Sequence, residues 1–222
     1  MEDPTQVLTN HGRVVMSKIA RFINAASHGK VKPAHITTLS LLGHFPAAWA
    51  LWTCRPVLAA AFVIIFGLMD ALDGALARLQ NTASKLGMFY DATSDRLKEI
   101  ILYAALAVYV DQHIPEAGAW LVVAVAGSSL LVSYVKAKGE MAVSDKNHDK
   151  QRLNRAFGGG IARYEIRMAL LVVALLTGFV APIMRLVLAL NMLTAAIRFL
   201  EISAMLHAED TKARKQSRKT TK

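Results

Sequence analysis

Six apolar segments alternate with shorter polar stretches along this chain of 222 residues. They cover approximately residues 34–52, 56–79, 85–110, 117–135, 166–180 and 184–206. Most of them approach the roughly 20 residues that an α-helix needs to cross the hydrocarbon core of a bilayer. The pattern therefore predicts an all-α fold, an integral membrane bundle of six transmembrane helices.

The segment before the first apolar stretch has a different pattern. Basic residues separate apolar residues that recur at helical spacing, namely Val14, Val15, Ile19, Phe22 and Ile23. This spacing predicts an amphipathic interfacial helix. We expect residues 1–33 to form an N-terminal tail, unstructured to about residue 9, followed by this juxtamembrane helix. Residues 34–206 would form the six-helix membrane domain, and residues 207–222 a disordered basic cytoplasmic tail.

The basic residues also predict the orientation of the chain. Its formal net charge is +10, although 54% of its residues are apolar. Most Lys and Arg fall on the side that both termini share, whereas the other side carries essentially Arg55 and Arg185. The positive-inside rule thus places both termini in the cytoplasm, together with a polar loop at Ser144–Phe157. Anionic lipid headgroups explain the positive charge more simply than nucleic acid, and we expect no nucleic-acid partner.

Two pairs of aspartates flank the short connection between the second and third apolar segments. Asp70 and Asp73 lie three residues apart and Asp91 and Asp95 four apart, so each pair occupies one face of a helix. Unpaired carboxylates are costly in apolar surroundings, and we expect cations between the pairs. Two Mg²⁺ or Mn²⁺ ions held by carboxylate oxygens would suit a reaction on a phosphate or diphosphate.

These aspartates belong to a longer motif, D-x-x-D-G-x-x-A-R-x8-G-x3-D-x3-D, which begins at Asp70. At every fixed position it resembles the motif of the CDP-alcohol phosphatidyltransferase family. The resemblance implies a membrane enzyme that transfers the phosphatidyl group of CDP-diacylglycerol, or a similar CDP-lipid, to a hydroxyl-bearing acceptor and releases CMP. It also implies a homodimer.

The resemblance assigns a role to each motif residue. Those implied to hold the CDP-lipid are Asp70, Asp73, Gly74, Ala77, Arg78, Gly87 and Asp91. The implied metal ligands are Asp70, Asp73, Asp91 and Asp95. Asp95 also takes the place of the general base, which removes the proton of the acceptor hydroxyl.

A second stretch concerns the acceptor. Residues 133–140, Ser-Tyr-Val-Lys-Ala-Lys-Gly-Glu, resemble a segment of the phosphatidylinositol-phosphate synthases within this family. That resemblance implies inositol phosphate as acceptor, with its phosphate bound by Lys136, Arg167 and Arg198. Glycerol 3-phosphate, the acceptor of phosphatidylglycerophosphate synthases, is the alternative. These cations could instead only extend to the membrane surface.

Intramembrane acids also occur in ion transporters, which form an alternative of another class. The four aspartates are predicted to cluster at one membrane face instead of the midplane, and no inverted repeat is evident in the sequence. Both observations favour the transferase.

Overall fold

The computed structural model describes residues 4–143 and 162–220, and every element of secondary structure in these ranges is an α-helix. The seven helices are α1 Pro4–Ala26, α2 Pro33–Trp52, α3 Pro56–Leu79, α4 Lys85–His113, α5 Ala119–Val143, α6 Tyr164–Thr177 and α7 Val180–Thr220. The predicted all-α class is confirmed. The polar segment at Ser144–Phe157 lies outside the described residues.

Helices α2 to α7 correspond to the six predicted apolar segments, and the differences lie at their ends. Ala181-Pro182 predicts a tight turn between the last two apolar segments. This prediction is wrong, because α6 ends at Thr177, followed by the capping Gly178 with a left-handed φ of 78°, and Pro182 lies in the first turn of α7. Proline is tolerated there since the first N–H groups of a helix have no intrahelical partner.

Both chain ends contain more helix than predicted. The helix α1 already begins at Pro4, and α7 continues to Thr220 through the segment expected to be disordered. Lys, Arg and Gln, which dominate residues 212–219, are good helix formers and can extend a helix that is already nucleated.

Within residues 4–143 and 162–220, three helices are long and apolar enough to cross a membrane, as judged by length and composition. They are α3, the Ala119–Ala142 part of α5 and the Val180–Ala208 part of α7. Many large apolar side chains lie on the outside of the bundle, among them Trp49, Trp52, Ile65, Trp120 and Phe199. This outward apolar surface is compatible with a membrane protein.

The bundle encloses one main apolar core, to which α2 to α7 all contribute. Leu51, Leu106, Leu121, Leu171 and Met184 are buried in it from five different helices. A smaller cluster packs α1 against α2 and α3. Asn191 of α7 donates hydrogen bonds to the hydroxyl groups of Ser128 and Ser129 on α5, at 2.9 and 3.0 Å. Such polar contacts between helices are typical of membrane bundles.

The contact between α2 and α3 places the first aspartate pair. Ser40 donates a hydrogen bond to the backbone carbonyl of Phe66 at 2.7 Å. The Phe66 ring occupies the position where a side chain at Gly43 would stand, so only glycine allows this approach. Asp70 follows one helical turn after Phe66 and therefore also faces α2.

Candidate active site

The four aspartates lie on two helices joined by five residues. Asp70 and Asp73 come from the last three turns of α3, whereas Asp91 and Asp95 come from the first three turns of α4. Helix α2 packs against both helices. Asp73 is buried, and the other three carboxylates are partly exposed. The structure thus brings together the two carboxylate pairs that the sequence analysis assigned to one site.

A lysine that the sequence analysis did not single out joins the two pairs. Lys98 Nζ lies 2.5 Å from Asp70 Oδ1 and 3.3 Å from Asp95 Oδ1. The lysine is 0% exposed, and among the described residues no other basic side chain lies within salt-bridge distance of these four aspartates. The positive charge expected between the pairs is therefore supplied, at least in part, by the protein itself.

Hydroxyl groups of α2 orient the carboxylates of α3. Thr37 Oγ1 donates to Asp73 Oδ2 at 2.5 Å, and Ser40 Oγ lies 2.9 Å from Asp70 Oδ1, sharing its one proton between that oxygen and the Phe66 carbonyl. His44, one turn further along α2, contacts the Ser40 carbonyl at 2.7 Å through Nδ1. A carbonyl can only accept, so Nδ1 carries the proton. Helix α2 thus supports both aspartates of the first pair.

A cavity of 560 Å³ lies beside the carboxylates, between α2, α3 and the start of α4. Six of the seven residues implied to hold the CDP-lipid line it: Asp73, Gly74, Ala77, Arg78, Gly87 and Asp91. The seventh, Asp70, contacts Ser40 and Lys98 instead. The cavity has the size of a small-molecule site.

Two glycines shape the wall of this cavity. Gly87 is the third residue of α4, and its N–H donates to the capping Ser84 hydroxyl at 3.0 Å. At Gly74 the nearest side-chain atom is Nη1 of Arg78, 3.5 Å from the place of a Cβ. Arg78 itself is exposed. Its guanidinium therefore lies along a bare stretch of helix and is free to meet a phosphate.

The donor set fits divalent cations in its chemistry, although it is not assembled as a metal site. Asp70 Oδ2 is buried and has no hydrogen-bond partner in the part of the chain that the structure describes, so it is available to a cation. Hard carboxylate oxygens are the ligands that Mg²⁺ and Mn²⁺ prefer. Across residues 4–143 and 162–220, however, no three His, Cys, Asp or Glu side chains converge closely enough to hold a metal ion.

The three predicted acceptor residues have different surroundings. Lys136 is half-exposed and lies 3.8 Å from Glu140. Arg167 is 2% exposed and donates to Glu99 Oε1 at 2.7 Å. Arg198 is 5% exposed, and its Nη1 donates to the Val132 carbonyl at 3.2 Å.

Two guanidinium nitrogens in this group have no acceptor among the described residues. Arg167 Nη2 and Arg198 Nε are both buried there without a hydrogen-bond partner. The two arginines are close enough for their like charges to interact. Buried, unpaired N–H donors of two neighbouring cations favour an anionic ligand.

An ion-pair network connects this region to the aspartates. Glu99, buried on α4, pairs with both Arg167 and Arg96, the latter at 2.6 Å. Arg96 also donates to the Ser133 hydroxyl of α5 at 2.6 Å. Arg96 and Glu99 lie one and four residues after Asp95 on α4. The ion-pair network therefore links the second aspartate pair to α5 and α6.

The sequence analysis missed Lys98, Thr37, Ser40 and Glu99. Lys98 follows Asp95 by three residues and thus shares its helix face, a signal that was available. Thr37 and Ser40 belong to a different helix from the aspartates they contact. Only the packing of α2 on α3 identifies them.

The sequence matches a known protein family over most of its length. Residues 30–200 match the model of the family described as CDP-alcohol phosphatidyltransferase. A phosphatidylinositol phosphate synthase of Corynebacterium glutamicum is 33% identical over 139 residues, which cover 59% of this chain and 61% of that protein. An archaetidylinositol phosphate synthase of Aeropyrum pernix is 34% identical over 85 residues, covering 38% and 41%, respectively. The chain spans about half the length of these curated relatives.

A solved structure shares the fold. The phosphatidylinositol phosphate synthase of Mycobacterium tuberculosis, solved with CDP-DAG bound, superposes with a TM-score of 0.70 at 22% identity, covering 85% of this chain and 93% of that one. Another structure of that enzyme, with manganese and citrate, gives a TM-score of 0.64 at 20% identity and covers 84% and 88%. These comparisons favour the transferase over the ion transporter. By its sequence match from residue 30 to residue 200, the chain belongs to the CDP-alcohol phosphatidyltransferase family.

Proposed function

We propose that the protein transfers the phosphatidyl group of CDP-diacylglycerol, or of a similar CDP-lipid, to inositol phosphate and releases CMP. The observation that carries this proposal is the cavity beside the four aspartates, because six residues of the CDP motif line it together. The relatives are named archaetidylinositol phosphate synthase and phosphatidylinositol phosphate synthase, and these names support the same acceptor.

The residues of the aspartate motif would have distinct parts in this reaction. Asp70, Asp73, Asp91 and Asp95 would hold two Mg²⁺ or Mn²⁺ ions, which supply positive charge against the diphosphate when bound. The M. tuberculosis structure with manganese supports a divalent ion. The number of two ions is part of our proposal. Gly74, Ala77 and Gly87 leave the wall bare for the cytidine nucleotide, and Arg78 binds its phosphates.

Asp95 would act as general base. It lies four residues further into α4 than Asp91, and 18% of its side-chain surface is exposed. Its carboxylate takes the proton of the acceptor hydroxyl while the hydroxyl oxygen attacks the lipid-side phosphorus. The bond from that phosphorus to the CMP oxygen breaks, and CMP leaves with the electron pair.

The acceptor phosphate would bind between α5, α6 and α7. Arg198 Nε and Arg167 Nη2 supply donors that now lack partners, and Lys136 adds a charge at the exposed end. Arg167 also pairs with Glu99, so it contributes through the remaining nitrogen only. A phosphate would satisfy both orphan donors by charge-assisted hydrogen bonds. Glycerol 3-phosphate offers the same phosphate and is the second candidate acceptor.

The placement in the membrane belongs to the same proposal. Helices α2 to α7 would be six spans within a domain of residues 34–206, preceded by an interfacial amphipathic helix in residues 1–33 and followed by a basic cytoplasmic tail, 207–222. The exposure of Val14, Ile19 and Phe22 on α1 supports the interfacial helix. Both termini and the active site would face the cytoplasm, and a homodimer is the assembly that the family suggests.

A direct assay tests the reaction and its acceptor. Purified protein is incubated with CDP-diacylglycerol and Mg²⁺ or Mn²⁺, and with inositol phosphate, glycerol 3-phosphate, serine or free inositol in separate reactions. We expect CMP release with inositol phosphate and a phosphatidylinositol phosphate product in the mass spectrum. A product formed only from glycerol 3-phosphate would establish the alternative, and a lack of CMP release with all four acceptors would refute the transferase.

A further inference from the structure

Lys98 is the most deeply buried charged group of the active site. Its relative exposure is 0%, and its ammonium contacts one carboxylate from each helix, Asp70 of α3 and Asp95 of α4. A buried ammonium is stable only when it is paired, and two carboxylates that face each other across a helix interface need a cation between them. Lys98 meets both requirements at once.

The Lys98 ammonium contacts carboxylate oxygens that would otherwise be available to a metal ion. Asp70 Oδ1 accepts from both Lys98 and Ser40, whereas Asp70 Oδ2 is buried with no partner. A divalent cation bound to Asp70 and Asp95 would therefore lie within a few ångströms of Nζ and be repelled by it.

An aromatic ring also lies near the ammonium. The ring of Tyr164, the first residue of α6, has its centroid 6.0 Å from Lys98 Nζ, at the outer limit of a cation–π contact. The Arg96 guanidinium already lies over the same ring at 5.4 Å, so the main contact left to Lys98 away from Asp70 is Asp95, at 3.3 Å. Lys98 could thus leave Asp70 without losing every favourable interaction.

We propose that Lys98 is a built-in counter-ion, which holds Asp70 and Asp95 together before metal binds and moves away from Asp70 when a divalent cation takes its place. The inference rests on the proposed function in so far as the four aspartates bind metal. It adds that Lys98 sets the metal affinity: the four carboxylates and the ammonium carry a net charge of three negative units, and without Lys98 that charge would be four. The lysine therefore stabilises the metal-free protein and weakens metal binding.

The test measures Mn²⁺ binding without substrate. Free Mn²⁺ is followed by electron paramagnetic resonance during titration of the purified full chain in detergent, for the wild type, Lys98→Gln and Lys98→Met. The control is Lys85→Gln, which removes an exposed lysine at the start of the same helix. We expect both Lys98 variants to bind Mn²⁺ about tenfold more tightly or better, and the control to match the wild type.

Thermal unfolding provides the matching readout. The metal-free Lys98 variants should melt at a lower temperature than the wild type, because two carboxylates then repel each other. Saturating Mn²⁺ should raise their Tm by more than it raises that of the wild type. A variant that folds only in Mn²⁺ would also support the proposal. Equal or weaker Mn²⁺ binding by both variants would overturn it, whereas a wild type that binds no Mn²⁺ would contradict the proposed metal site itself.

The wild type alone supplies a test that needs no variant. In an experimental structure of the enzyme with Mn²⁺, we expect the Lys98 ammonium to lie beyond 4 Å from Asp70 Oδ1, the outer limit of a salt bridge. A metal-bound structure that keeps the 2.5 Å contact would overturn the proposal whatever the variants do.

Discussion

Arg167 of α6 donates from Nε to Glu99 Oε1 of α4 at 2.7 Å, and each of the two side chains is only 2% exposed. This buried ion pair joins two helices that also border the active site. It gives Arg167 a structural role beside the phosphate-binding role proposed for its Nη2, because Nη1 donates to the Ala162 carbonyl.

The two roles can be separated by substitution. Removing one member of a buried ion pair strands the other charge and costs about 3–5 kcal/mol. We therefore expect both Arg167→Gln and Glu99→Gln to lower Tm in detergent by several degrees, whereas only Arg167→Gln should also raise the KM for the phosphorylated acceptor. Arg185→Gln, an exposed arginine on α7, is the control for stability. A Tm unchanged in both variants would argue against a stabilising pair.

Asp91→Asn tests the metal site. Asp91 lines the cavity from the first turns of α4, and losing its charge would leave bound metal ions under-neutralised. We expect CMP release to fall at least about 100-fold at saturating Mg²⁺. Asp111→Asn is the matched control, since Asp111 is an exposed aspartate near the other end of the same helix. Near-normal turnover in Asp91→Asn would remove Asp91 from the metal ligands.

Asp95→Asn tests the general base. Loss of the base should slow the chemical step by roughly 10²–10⁴-fold, while affinity for the CDP-lipid is largely kept. Single-turnover CMP release and equilibrium binding of the CDP-lipid measure the two quantities separately. If binding and turnover fall together, Asp95 acts mainly as a metal ligand.

Arg198→Gln and Lys136→Gln test the acceptor site. The loss of one charge-assisted hydrogen bond is worth roughly 1.5–3 kcal/mol, so the KM for inositol phosphate should rise about tenfold to hundredfold. The KM for the CDP-lipid should change little. Lys138→Gln, an exposed neighbour of Lys136, serves as control. The proposed phosphate site would be abandoned if Arg198→Gln left the acceptor KM unchanged, or if the wild type preferred free inositol or serine.

Much of the architecture could be predicted because it depends on local pattern. The lengths of the apolar segments predict the helices, and the proline at the first position of α2 and of α3 marks where each begins. The spacing of Asp70, Asp73 and Asp91 places them on helix faces without any knowledge of tertiary contacts. The start of α7 was misplaced since Pro182 was taken to break a helix, although proline is accepted in a first turn.

The remainder depends on contacts between helices. Thr37 becomes a partner of Asp73 only through the packing of α2 on α3, which no periodicity within either helix specifies. Arg167 was predicted to bind the acceptor phosphate. Its buried ion-pair partner, Glu99, could not be identified from the sequence because it is 68 residues away. Lys98 could have been predicted, since it shares a helix face with Asp95. It was not, because a metal ion was expected to supply the positive charge between the aspartates.

The close approach of Gly43 and Phe66 has a consequence for the position of the first aspartate pair. Because the Phe66 ring fills the place of a side chain at Gly43, α2 and α3 cannot slide past each other along their axes. Ser40 and Asp70, one turn from these two residues on their respective helices, are held at the same level. The level at which α2 meets the first aspartate pair is therefore set at an apolar contact that takes no part in the proposed chemistry. A larger side chain at Gly43 would displace the aspartates without touching them.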